Sequence, residues 1–258
     1  MARRQQIEKV ATVLHSGDKL LSYGLEYAGC GMEALICFLL AREGRWRHLK
    51  GLYLYVAGLF LLDGVGRSAA LNYFGQRSRQ YAYFYWLTDV LLALGAFLLI
   101  CGFFRRASAK EEKFWSVVRT LLVFVFILVV GMTGLSLSRN YSHLFSKFIV
   151  EFSQNLYFTC LVLNTLLYVM IQQLAIDDEE LGLLVCGLGV QFAGGAAVLA
   201  LYHLTLGENF ARLIFNFFNP ACTLGMLLTW IYAIVKTPEP IPVGSRSGKA
   251  ALVEAVAE

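Results

Sequence analysis

The sequence predicts an all-α membrane protein folded as a seven-transmembrane-helix bundle. Composition is the first observation, since 58% of the 258 residues are hydrophobic and only 16% are charged. Soluble domains are about half apolar and about a quarter charged. The second observation is a series of seven apolar segments, each near the roughly 20 residues that a helix needs to cross a bilayer. These segments occupy most of the chain and leave no room for a separate soluble domain.

The predicted helices follow one another through a transmembrane domain of residues 20–236, with short connections between them. Their expected bounds are 20–41, 51–71, 83–104, 115–137, 151–174, 181–204 and 212–235. Residues 1–19 form a predicted amino-terminal tail that carries six charged residues and lacks the apolar core of a cleavable signal peptide. Residues 237–258 hold three of the four prolines and are expected to be a flexible carboxyl-terminal tail.

The distribution of basic residues predicts how the bundle is oriented in the cell membrane. Eleven basic residues lie on the side of the carboxyl terminus: Arg42, Arg45, Arg47, Lys50, Arg105, Arg106, Lys110, Lys113, Lys236, Arg246 and Lys249. The loops and tail of the other side hold nine. Because basic residues are enriched on the cytoplasmic side, we expect the carboxyl terminus in the cytoplasm and the amino terminus outside.

Several polar residues fall inside the predicted helices, where ionisable groups are costly and by default face the bundle interior or a wet cavity. They are Glu26, Glu33, Asp63, Arg67, Asp89, Asn216 and Asn219. Counted from the helix ends, most lie in one layer towards the amino-terminal side. This layer predicts a polar cavity open to the non-cytoplasmic side, which would bind a small ligand or ion. The alternative is a structural ion network, since Asp63 and Arg67 have the i,i+4 spacing of an in-helix pair.

The stretch FFNPACT, residues 217–223, places Pro220 inside the last predicted helix. A water channel of the NPA type needs two such loops, and only one occurs in this chain. The tyrosine that a receptor-type motif needs three residues after the proline is replaced by Thr223. The remaining interpretation is a helix kink at Pro220, which would bring Asn216 and Asn219 to the polar layer.

Two further segments each have two interpretations. QYAYFYWLTD, residues 80–89, is typical of an interfacial aromatic belt, although its rings would also suit a pocket for an organic cation beside Asp89. DDEE, residues 177–180, is typical of a helix start, where carboxylates accept from free N–H groups; a docking or cation site is the alternative.

Several classes of function find no support in the sequence. No cofactor is expected, because residues 212–235 contain no lysine for a retinal Schiff base. The histidines and cysteines have no metal-ligand spacing, and no motif for a catalytic nucleophile occurs, so we expect neither a metal site nor an enzyme. All six cysteines fall within predicted helices, where free buried thiols are expected. The basic loops are expected to meet lipid headgroups and not nucleic acid.

The segments YAYFYWLTDVLLALGAFLLI, FFRRA and NPACTLGMLLTWIYAIVK resemble a family of bacterial seven-helix membrane proteins of uncharacterised function. The resemblance covers about residues 50–236. Members often have an acidic residue late in helix 3, where this chain has LLICGFF without one. The resemblance implies the seven-helix architecture and brings no activity.

The sequence thus leads to three hypotheses about function. The first is a protein that senses or binds a small ligand in the polar cavity and signals through an intracellular partner, because no signalling domain is attached. The second is a proton- or cation-coupled transporter of small solutes that uses the same carboxylates. The third is a scaffold subunit without a ligand, whose polar groups should satisfy one another.

Overall fold

The computed structural model describes residues 24–75, 78–109, 112–138, 144–173, 178–204 and 208–236, and within these ranges the chain is helical without a β-strand. Both predicted tails, 1–19 and 237–258, lie outside the described residues. The helices are α1 (Gly24–Arg42), α2 (Lys50–Phe74), α3 (Arg79–Ala107), α4 (Glu112–Ser138), α5 (Leu144–Gln173), α6 (Glu179–Leu204) and α7 (Glu208–Lys236).

Among the described residues, six helices are long and apolar enough to cross a membrane, which makes the chain a polytopic membrane protein. The exception is α4, of which the described apolar part, Trp115–Gly131, is shorter than the spans of the other helices. Seven crossings therefore remain a prediction. Several helices extend beyond the apolar segments; α5, for example, begins at Leu144, where the sequence predicts residue 151. Backbone hydrogen bonding continues after the hydrophobic side chains end, so apolar length underestimates helix length.

Neighbouring helices pack side by side in an order that differs from the chain order. α3 packs against α2 and α5, while α6 packs against α5 and α7. α4 packs mainly against α5 and more lightly against α3. Contacts of α1 reach α2 at Gly64 and α7 at Leu224. α5 thus lies between α3 and α6, and α3 has α2 on its other side.

The interface between α6 and α7 is closely packed because glycines replace side chains there. A Cβ atom on Gly187 would lie 2.8 Å from Nε1 of Trp230, and one on Gly194 would overlap Sγ of Cys222. Trp230 is fully buried, and its indole N–H donates to the carbonyl of Leu184 at 2.9 Å. Small residues let helix backbones approach closely in this way.

α2 is not a uniform α-helix, since Leu59–Arg67 adopt π-helical hydrogen bonding. This wider segment contains Asp63 and Arg67, together with two glycines, Gly64 and Gly66. π-helical turns are uncommon and are found frequently at functional sites. The i,i+4 spacing in the sequence predicts an ordinary α-helical pair, so the π-helical geometry is a property that only the structure provides.

The last predicted helix was expected to contain a proline. α7 contains Pro220 within its helical span, as the sequence predicts, and the hydroxyl of Thr223 donates to the carbonyl of Asn219 at 3.2 Å.

All six cysteines are free. The expectation that they are buried is correct for Cys160 and Cys222 but wrong for Cys186, which points away from the bundle. A thiol is apolar enough to face lipid, so placement inside an apolar helix does not ensure burial.

Candidate functional site

Arg67 is the centre of a charged cluster that joins α2 to α3. Its Nη1 forms an ion pair with Asp63 on the same helix. Its Nη2 lies 3.6 Å from Oδ1 of Asp89 on α3. One guanidinium is therefore shared by two carboxylates from neighbouring helices, an arrangement that suits either a ligand site or a structural network.

Two more residues of α3 hold the guanidinium in place. Nε of Arg67 donates to the hydroxyl oxygen of Thr88 at 3.3 Å, and Thr88 itself donates to the carbonyl of Tyr85 at 2.9 Å. The guanidinium carbon also lies 4.2 Å from the centre of the Tyr85 ring. Stacking on an aromatic face is a favourable arrangement for a guanidinium. The aromatic start of α3 thus contributes to the site through Tyr85.

The cluster also reaches α5, because Ser153 donates its hydroxyl proton to Oδ2 of Asp89. Ser153 is almost completely buried. The two aspartate side chains keep access to the surroundings, with 43% of Asp63 and 30% of Asp89 exposed. With two carboxylates to one guanidinium, the formal charge of the cluster is negative, which favours a cation over an anion.

Glu33 on α1 lies beside this cluster and is only 4% exposed. Its Oε2 would be 3.7 Å from a Cβ atom on Gly64, the residue that follows Asp63. Among the described residues, Oε2 of Glu33 has no hydrogen-bond partner, and neither has Nη2 of Arg67. A buried acceptor and a buried donor are thus both unsatisfied in one region, which is costly for a purely structural network.

Among the described contacts, none joins Glu26 or Asn219 to this group. Glu26 is exposed, two helical turns from Glu33 on α1. Asn219 is partly buried on α7, where its carbonyl accepts from Thr223. The side chain of Asn216 lies outside what the structure describes. The structure therefore connects Asp63, Arg67 and Asp89 and places Glu33 next to them.

Sequence reasoning missed Thr88 and Ser153 as members of the cluster. Thr88 adjoins Asp89 in the sequence, and from that position its hydroxyl could have been predicted to lie near the cluster. Ser153 has no such signal, because only the packing of α5 against α3 brings it to Asp89.

A second charged network lies at the opposite end of the bundle and involves the DDEE segment. Arg106 at the end of α3 binds Asp178 through two hydrogen bonds of 2.8 and 2.9 Å, and it binds Glu180 at 2.7 Å. Glu180 also pairs with Arg45 from the connection between α1 and α2. Both Arg45 and Glu180 are buried.

The acidic segment is also connected to α7, through Arg45, the partner of Glu180, and through Lys236. Arg45 donates to the carbonyl of Ile234 at 2.6 Å, and Lys236 pairs with Glu179. Oδ1 of Asp178 accepts from the N–H of Leu181 at 3.0 Å, as expected for a helix start. The helix-start interpretation of DDEE is therefore correct but incomplete, since its carboxylates also tie three other parts of the chain together.

Among the described residues, no three His, Cys, Asp or Glu side chains are grouped so that they could hold a metal ion. Comparison of the chain with protein-family models, curated proteins and solved structures finds no match. The fold and site therefore define a class, that of polytopic helical membrane proteins with a charged cluster inside the bundle.

Proposed function

We propose that this membrane protein binds a small solute with a positive charge at the cluster of Asp63, Arg67 and Asp89. The main support is that the polar groups of the cluster are not all satisfied by hydrogen bonds within the described part of the protein. Arg67 leaves one buried nitrogen without a hydrogen bond, while both aspartates remain partly exposed. A scaffold subunit would be expected to satisfy these groups within the protein, because unpaired buried polar atoms are costly.

The charge balance favours a cationic ligand. Asp63 and Asp89 supply two carboxylates to one guanidinium, so a cation would offset the excess negative charge. The ring of Tyr85 already carries the Arg67 guanidinium, so the attraction for a ligand cation comes from the carboxylates. The cluster belongs to the halves of α2 and α3 that meet at their connection, which is the side that the basic residues predict to be non-cytoplasmic.

Thermal unfolding of detergent-purified protein with small cations tests this proposal. Sodium, potassium, ammonium, tetramethylammonium and choline salts would be compared at equal ionic strength. A ligand at about 100 times its dissociation constant stabilises the folded state by about 2.7 kcal/mol, so a binding cation should raise the unfolding midpoint. Asp89→Asn should abolish that increase.

The control is Glu43→Gln, which removes one carboxylate on the opposite side of the bundle, 3.6 Å from Arg45. It should keep the response to the cation. Equal responses in the parent, Asp89→Asn and Glu43→Gln would mean that the cation acts elsewhere. Absence of any response in the parent would count against a cationic ligand from this set.

A second function, proton- or cation-coupled transport, is favoured by Glu33. Its buried, unpartnered carboxyl group next to Asp63 is typical of carboxyls that exchange a proton during transport. In reconstituted vesicles, solute uptake driven by a pH gradient should be lost in Glu33→Gln, while solute binding in detergent persists. Binding without uptake in the parent protein would leave a receptor and exclude this alternative.

A further inference from the structure

A cleft of about 630 Å³ lies between the end of α3 and the beginning of α4, far from the Arg67 cluster along α3. It is lined by Arg105, Ser108, Ala109, Trp115 and Arg119. None of these residues contributes to the function proposed above. The lining combines two guanidinium groups, one hydroxyl and one indole ring.

Ser108 shows that the cleft is more than a surface depression. Its side chain is 4% exposed, and its Oγ has no hydrogen-bond partner among the described residues. Ser108 closes α3, and its N–H donates to the carbonyl of Phe104 at 2.9 Å, which fixes the backbone that carries the hydroxyl. A buried hydroxyl without a partner is costly, so this one is positioned for a group that enters the cleft.

The two arginines of the cleft differ from their neighbour Arg106. Arg106 is engaged by Asp178 and Glu180, whose charges it offsets. Arg105 and Arg119 are exposed, and no carboxylate of the described residues lies within ion-pair distance of either. Two guanidinium groups without a carboxylate partner in the described part of the chain, beside a buried hydroxyl, favour an anion with several acceptor oxygens.

We propose that this cleft binds a phosphate group, with Arg105 and Arg119 supplying charge and the Ser108 hydroxyl donating a hydrogen bond. The carboxyl end of α3 opposes an anion through its helix dipole, but that effect is about 0.3–1 kcal/mol and smaller than the attraction of two guanidinium groups. Trp115 is typical of the membrane interface, where the phosphates of lipid headgroups lie. Both a phospholipid headgroup and free phosphate have the required chemistry.

Native mass spectrometry of the detergent-purified full chain distinguishes these sources. Phosphatidylglycerol, phosphatidylcholine and inorganic phosphate would be titrated separately. The key variant is R105Q/R119Q, and the matched control is R42Q/R47Q, which removes one exposed arginine at the end of α1 and one from the connection that follows it. That control region also contains an exposed tryptophan, Trp46, with the Arg47 guanidinium carbon 5.4 Å from its ring centre. S108A tests the hydroxyl, and unfolding midpoints without ligand show whether each variant is folded.

We expect the parent to bind one phosphatidylglycerol more tightly than further copies. R105Q/R119Q should weaken this first binding step about tenfold or more, because each basic residue near an anionic lipid surface contributes measurably. S108A should weaken it severalfold, and R42Q/R47Q should leave it unchanged. Tighter binding of inorganic phosphate than of either lipid would support the site with free phosphate as its ligand. Equal losses in the two double variants, or no effect of S108A in a folded protein, would overturn the proposal.

Discussion

At the scale of single residues, Arg67 holds together charges that would otherwise repel one another. It pairs with Asp63, lies near Asp89 and rests on Tyr85. Arg67→Gln removes the one positive charge that the described residues supply to this cluster and leaves the partly buried carboxylates of Asp63 and Asp89 without it. We expect a loss of about 1–3 kcal/mol in the free energy of unfolding, because the aspartates are partly exposed and so less costly than fully buried ions.

Denaturation of detergent-purified protein would measure this loss. The double variant Arg67→Gln/Asp89→Asn should be more stable than Arg67→Gln alone, since it removes one of the stranded charges. If the two substitutions have additive effects, Arg67 and Asp89 do not interact energetically across the 3.6 Å that separates them.

Gly187 offers a second test, because its environment requires the absence of a side chain. Gly187→Ala would place a Cβ atom 2.8 Å from Nε1 of Trp230 and disturb the hydrogen bond from Trp230 to Leu184. Overpacking of this kind costs about 1–3 kcal/mol. Gly182→Ala on the same helix is the control, since a Cβ atom there would have no atom within 4 Å. Thermal midpoints should fall for Gly187→Ala and stay level or rise for Gly182→Ala.

At the scale of secondary-structure elements, the Arg45–Glu180 pair fastens the connection between α1 and α2 to the beginning of α6. Glu180→Gln would leave Arg45 and Arg106 with one carboxylate fewer at a buried position. Breaking a buried pair typically costs about 3–5 kcal/mol. Glu179→Gln, which affects the exposed pair with Lys236, should change stability little.

Limited proteolysis gives a local measurement of the same contact. Cleavage in the connection between α1 and α2 should become faster in Glu180→Gln and stay unchanged in Glu179→Gln. Equal stability and equal cleavage in both variants would show that the buried network does not secure this connection.

The positions of the helices and part of the candidate site could be predicted from the sequence. Each predicted helix from the second to the seventh overlaps an observed one, because apolar length and periodicity are local properties. The site was predictable through Asp63 and Arg67, which share one helix, and through Asp89, whose charge inside an apolar segment is conspicuous. Ser153 and the π-helical segment were not predictable, since helix packing and backbone hydrogen bonding decide them.

At the scale of the whole molecule, the number of crossings determines where the termini lie. α4 has 27 residues and is therefore about 40 Å long, enough to cross the roughly 30 Å hydrocarbon core. We predict that α4 crosses the membrane, that the chain crosses seven times and that the carboxyl terminus is cytoplasmic.

Reporter fusions would check this topology in cells. A reporter active only outside the cytoplasm should be active after residue 140, between α4 and α5, and inactive after residue 236. A cytoplasmic reporter should give the opposite pattern. Identical results at the two positions would contradict a topology in which α5, α6 and α7 together change the side of the membrane.

The sequence by itself determined that this protein is a polytopic helical membrane protein with ionisable residues inside its helices. Hydrophobicity acts locally and is strong enough to be read from composition and segment length. Only the tertiary structure decided which charges meet: Arg67 with Asp63 and Asp89, and Arg45 and Arg106 with the acidic beginning of α6. Ion pairs between helices depend on packing order and rotation about each helix axis. Those properties arise from contacts between residues far apart in the chain, and no local pattern encodes them.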